Sequence, residues 1–155
     1  MNFMVDCDSP ENLPTVSISL TVKDGNQALD FYQRAFGAEV RFKMPMPDGG
    51  IAHSEFMIGN TRLMLSGESP EWSAFAMPEG TMSSNLLSIV APDCDASYQQ
   101  ALDAGATSLS APQNQFWGAR SAVIKDPFGY RWSFIQQVED VSPEEIMERA
   151  KKLFG

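Results

Sequence analysis

The chain has 155 residues, 43% of them hydrophobic and 20% charged, with a net charge of −9. This length and balance suit a globular domain large enough to bury a core; the acidic surface repels phosphate backbones, which excludes nucleic acid as an expected partner. No apolar run approaches the roughly 20 residues of a membrane helix, and no export signal is legible, so a cytoplasmic protein without a membrane partner is expected.

Residues 1–14 read as a leader. A strand follows at 15–22, where Val16, Ile18, Leu20 and Val22 alternate with Ser17, Ser19 and Thr21. Asp24 or Asn26 caps a helix running to about 36, with Leu29, Tyr32, Ala35 and Phe36 on one stripe and Gly37 as its exit. Strands at 39–46, 51–58 and 61–66 form an antiparallel meander through the Pro47–Gly50 and Gly59–Asn60 turns. The stretch 67–84, rich in Pro, Gly and Ser, links this half to the next. There a strand at 85–91, a helix at about 95–104 and strands at 106–110, 118–125 and 130–137 repeat the order. The tail 138–155 holds a C-terminal helix with Ser142, Pro143 and Glu145 as a capping box and Lys151 and Lys152 in its last turn.

The two halves, 15–66 and 85–137, are copies of one plan. Asp24 and Asp93, like Arg62 and Arg131, are 69 residues apart, and Gly37 and Gly105 are 68 apart. A period this long marks a duplicated β-α-β-β-β unit, since solenoid repeats run about 20–50 residues. The expectation is therefore an α+β domain at 15–137, its tandem modules forming a curled sheet, an open half-barrel, around a cup. Exposed sheet edges make a homodimer the expected assembly, and the apolar stripe Ile146, Ala150, Leu153 and Phe154 is expected to be buried either in the chain's own core or against a second subunit.

Alternation turns Phe56, Ile58, Leu63 and Leu65 toward the helix and His53, Glu55, Met64 and Ser66 toward the cup. His53 is the only histidine. With Glu55 two residues on, it forms a polar pair, a proton-transfer pair or half a metal site. Ser17, Ser19, Met64, Leu86, Ser88 and Ser133, with Arg62 or Arg131, complete the cup, and Phe116 and Trp117 form a wall. Cys7 and Cys94 lack metal-binding spacing and are expected as reduced thiols, a disulfide between them being the alternative. Phosphate-loop, nucleophile-elbow and HExxH patterns are absent.

The Asp126-Pro127-Phe128-Gly129-Tyr130 turn before Arg131-Trp132-Ser133-Phe134 and the helix end Phe31–Ala38 resemble the vicinal oxygen chelate superfamily, which includes glyoxalase I, extradiol dioxygenases and bleomycin-resistance proteins. Ile51–Glu55, Leu63–Ser66 and Gln115–Gly118 are similar to its PhnB-like branch. The resemblance implies the glyoxalase/bleomycin-resistance fold. It also implies metal ligands, a His on the first strand of each half and a carboxylate on the last; the matching positions are Ser17, Met64, Leu86 or Ser88, and Ser133. Those side chains are poor donors for a divalent ion, so no cofactor is expected. The expected function is metal-independent binding of a small organic ligand. The alternatives are a lyase- or isomerase-type enzyme using His53 and Glu55, with or without a displaced metal, and an interaction module with a vestigial pocket.

Overall fold

The computed structural model describes residues 14–155; Cys7 and the expected leader, apart from Pro14, lie outside the described residues. The described chain divides into two compact units between Pro78 and Glu79, inside the stretch read as a linker.

In the first unit, strand β1 (Ile18–Val22) leads into helix α1 (Gly25–Phe36), followed by β2 (Glu39–Pro45), β3 (Ile51–Ile58) and β4 (Thr61–Gly67). Asp24 is the N-cap, its side chain accepting from Gln27 N, and Gly37 closes the helix at φ 66°. The α1 crossover lets β1 return alongside β4 in parallel, Ile18 opposite Leu63 and Leu20 opposite Leu65. Antiparallel hairpins join β2, β3 and β4. Leu20, Val22, Phe56, Leu63 and Leu65 are buried with Leu29 and Tyr32 of α1. Tyr32 stacks on Phe56 at 5.4 Å between ring centres, and each such ring removed from water is worth about 2 kcal/mol.

The second unit repeats the order: β5 (Leu86–Val90), α2 (Cys94–Ala104), β6 (Thr107–Asn114), β7 (Ala119–Lys125) and β8 (Arg131–Gln137), then α3 (Pro143–Phe154). Again the first strand pairs in parallel with the last, Ser88 opposite Ser133. Asp93 caps α2 by accepting from Ala96 N. Cys94 is a free, buried thiol, its Sγ donating to Phe134 O at 3.7 Å; burial, then the neighbouring Asp95, push its pKa up, so it behaves as a small core hydrophobe.

The duplicated β-α-β-β-β plan is thus observed, but the expected curled sheet around a cup is not. The strands form two separate four-stranded sheets, in the orders β1-β4-β3-β2 and β5-β8-β7-β6, and neither is curled or closed. The cause is the parallel return: each first strand takes the free edge of its own fourth strand, so every register lies within one unit. One outer edge of each sheet is blunted in the same way. β2 and β6 each carry a proline, Pro45 and Pro112, and register shifts that spoil further pairing. Two boundaries differ from expectation by more than one residue: β1 begins at Ile18 instead of 15, and β6 runs to Asn114 instead of 110, the edge position tolerating Pro112.

The turn into β8 is held by Asp126, which is 1% exposed. Its Oδ1 accepts from Phe128 N and Tyr130 N, each at 2.9 Å, and its Oδ2 from Trp132 Nε1 at 2.9 Å. This explains chemically why the DPFG sequence precedes Trp132. The tail is fastened by Gly118, at φ 91°, where an added Cβ would stand 2.5 Å from Glu139 O, and whose carbonyl accepts from Val138 N and Glu139 N. Ser142 caps α3 by accepting from Glu145 N, but the Glu145 carboxylate turns to Arg149 instead of completing the capping box. Arg149 also grips Glu139 at 2.6 Å, and its hydrogen bond holds the Glu139 pKa below the usual glutamate value.

Asp126→Ala, which strands three donors, is expected to cost about 3 kcal/mol or more in urea unfolding; Asp126→Asn, which keeps an acceptor oxygen, should cost clearly less. Equal costs would contradict this assignment. Because Glu139 has a depressed pKa, its contribution is complete at neutral pH and is lost as the pH falls through that lowered value. Amide protection factors in α3 should therefore fall in acid below the usual carboxylate range, and a pH-independent α3 would refute the assignment.

Candidate functional site

A helix covers one face of each sheet, and the pleat sends alternate side chains to the other. In the first unit that second face carries Ser19 and Thr21 from β1, His53, Glu55 and Met57 from β3, and Arg62, Met64 and Ser66 from β4, as the registers Ser19–Met64, Glu55–Met64 and Met57–Arg62 require. Phe56, Leu63 and Leu65 lie on the helix face, as alternation predicts. Ser17 precedes β1 and is exposed.

At the middle of this face lies a row of three polar groups. Glu55 has a side chain only 4% exposed and Arg62 one only 9% exposed, with Arg62 Nη1 donating to Glu55 Oε2 at 3.2 Å. The other oxygen, Oε1, is 3.5 Å from His53 Nε2, and the His53 side chain is 27% exposed. The Phe42 ring lies 6.2 Å from the imidazole, centre to centre. Glu55 is thus a buried carboxylate neutralised from one side by Arg62, while its other oxygen can orient the more accessible imidazole. Alternation alone put Arg62 on this face without a partner. The tight Gly59–Asn60 turn is the signal that could have supplied one: it sets Met57 opposite Arg62 and Glu55 opposite Met64, making Glu55 and Arg62 diagonal neighbours.

The second unit's corresponding face holds Leu86 and Ser88 of β5, Val123 and Lys125 of β7, and Arg131 and Ser133 of β8. Ser133 is buried and Leu86 is 44% exposed. The Ser88 and Ser133 hydroxyls are 2.7 Å apart. Phe116 and Trp117 stand in the loop before β7, edge to face at 5.0 Å. Phe116 also meets Phe154 of α3, and its carbonyl accepts from Arg149. The expected site residues therefore fall into two face-sharing sets, one per sheet, and a pair of aromatics fastened to the C-terminal helix.

Among the described residues no group of three or more His, Cys, Asp and Glu side chains is placed to hold a metal ion. His53 and Glu55 supply two donors, and the third polar group beside them is a guanidinium, which repels a cation.

The protein-family model described as "Glyoxalase/Bleomycin resistance protein/Dioxygenase superfamily" matches residues 15–134. The uncharacterized protein Mb0911c of Mycobacterium bovis is 37% identical over 136 residues, covering 86% of this chain and 90% of its own length. Among solved structures, TioX from Micromonospora sp. ML1 is 21% identical with a TM-score of 0.65, over 81% of this chain and 100% of that one. The fosfomycin resistance protein FosX from Mesorhizobium loti is 12% identical with a TM-score of 0.60, over 86% and 97%. At these identities the two structures establish likeness of fold.

Replacing Arg62 by Leu leaves the Glu55 carboxylate buried without its guanidinium and should cost about 3–5 kcal/mol in chemical denaturation. The Glu55→Leu/Arg62→Leu pair should be far less costly than the two single changes summed, because neither charge is then stranded. Additive losses would show that the two side chains act independently.

Proposed function

The chain belongs to the glyoxalase/bleomycin resistance protein/dioxygenase superfamily, and from that premise we propose that it binds a small organic ligand on the sheet faces turned away from α1 and α2, without a resident metal ion. One observation carries this reading. The positions matching the ligands of metal-dependent members hold Ser17, Met64, Leu86 or Ser88, and Ser133: neutral hydroxyls, a thioether and an aliphatic chain. Such groups do not offset the cost of stripping water from a divalent ion, and Ser88 and Ser133 already bond to each other. Soft apolar surface with a few fixed polar groups suits a small organic molecule.

The finer expectations extend this reading. Placement in the PhnB-like branch is supported by the Ile51–Glu55, Leu63–Ser66 and Gln115–Gly118 motifs. A cytoplasmic location extends the reading of the two cysteines as reduced thiols, and a homodimer is supported by the exposed Met147, Leu153 and Phe154 of α3.

A second reading, an enzyme of lyase or isomerase type, is favoured by the His53–Glu55–Arg62 row. There His53 is the acid–base group, Glu55 orients it and Arg62 pairs with Glu55 from the other side.

Protein purified without chelator is expected to carry far less than one equivalent of divalent metal and, in native mass spectrometry, a small-molecule adduct that denaturation releases. A stoichiometric, tightly held metal with no adduct would overturn the binding reading. His53→Ala should leave the adduct in place if the protein only binds; if it abolishes turnover of the released molecule, the enzymatic reading holds instead.

A further inference from the structure

The duplication provides an internal comparison. Arg62 and Arg131 occupy the same place, the first residue after Thr61 in β4 and the first residue of β8. Each faces away from its helix. In the first sheet Met57 lies opposite Arg62, and Glu55 lies on the diagonal and bonds to it. In the second sheet Lys125 lies opposite Arg131, and Val123, opposite Ser133, takes the place of Glu55. The second module has thus exchanged the internal carboxylate for a valine and added a second cation.

Nothing nearby restores the balance. Arg34, Arg41, Arg62, Arg120 and Arg149 each form an ion pair; among the described residues Arg131 has none. No residue of β5, β6, β7 or β8 is acidic, in a chain with 20 Asp and Glu. The Asp126 carboxylate is taken up by two backbone amides and the Trp132 indole. Arg131 Nη1 reaches one acceptor, Ser84 O, at a long 3.4 Å. Its Nε is shut off from solvent and has no hydrogen-bond partner. Two cations directly opposite across a strand pair repel each other, and a guanidinium N–H without an acceptor is costly to bury. The repulsion vanishes if an oxyanion bridges the two cations, since a guanidinium fork matches carboxylate and phosphoryl oxygens two at a time; Nε gains an acceptor when the guanidinium turns toward that ligand.

We infer that Arg131 and Lys125 form an oxyanion subsite that receives the carboxylate or phosphoryl group of a small organic acid, with the Ser88–Ser133 hydroxyl pair, two residues further along β5 and β8 on the same face, supplying a further donor. The two hydroxyls share one hydrogen bond at 2.7 Å, which leaves one O–H to point at a ligand. The apolar Leu86 and Val123 beside them suit the body of such a molecule. This subsite rests on the small-ligand reading and narrows it to acids.

The test is an NMR titration of the Arg131 Nε–H resonance with sodium benzoate, sodium phenylphosphonate and, as the neutral counterpart, benzamide, on wild type and four variants. One or both anions should shift that resonance saturably while benzamide does not. Val123→Glu rebuilds the first module's internal pair and should weaken anion binding at least about tenfold, as should Arg131→Met read on the remaining backbone amides. Val123→Gln, of similar bulk without the charge, should keep it, and Lys125→Met should weaken it less than Arg131→Met. If the anions and benzamide bind alike and Val123→Glu changes neither, the oxyanion subsite is refuted while small-ligand binding stands. If no probe binds any form of the protein, the subsite is likewise refuted, and the small-ligand reading then stands or falls on the co-purified adduct alone.

Discussion

The parallel return of the first strand of each module to its own fourth strand governs everything else in the structure. It requires a crossover helix, and the helix covers only one face of the sheet. One set of alternate residues becomes core, including Leu20, Phe56, Leu65, Ile124, Trp132 and Phe134. The other set is left to chemistry. Each module keeps a separate four-stranded sheet, with its first and second strands as the two edges, and each face carries its own polar group.

The two faces have diverged around a shared arginine position. In the first, Arg62 is consumed by Glu55, an interaction that makes a buried carboxylate tolerable and aims it at His53. A pair like this contributes little net stability, since desolvation offsets attraction, but losing one member is expensive. In the second, the hydroxyls of Ser88 and Ser133 and the cations of Lys125 and Arg131 lie on the face away from α2, and no strand of that sheet supplies a carboxylate to answer them. One module is electrostatically closed and the other open, and an open face of this kind suits recognition better than packing.

Much of the fold was legible because it is local. Helix caps Asp24, Asp93 and Ser142 act within three residues, and period-two alternation sorted His53 and Glu55 from Phe56 correctly. The 69-residue offset between Arg62 and Arg131 exposed the duplication. Non-local features escaped. The separation of the sheets follows from which edge a strand chooses, which no pattern within the strand encodes. Likewise Cys94 and Gln136, 42 residues apart and joined by the Cys94 backbone N–H donating to the Gln136 side-chain Oε1 at 3.0 Å, carry no mark of one another in sequence. Phe116 and Trp117 read as wall aromatics because their loop precedes β7; the further contact of Phe116 with Phe154 of the C-terminal helix had no mark in the sequence.

Metal-independent binding, as proposed, rests on hydroxyl, thioether and aliphatic side chains standing where metal-dependent members carry their donors. It is tested most directly by a crystal structure of the protein purified from cells without chelator, with anomalous data to identify any ion. The account predicts organic density against β8 beside Ser133 and Arg131, and no ion held by the strands. An ordered cation coordinated in full by strand side chains would contradict it.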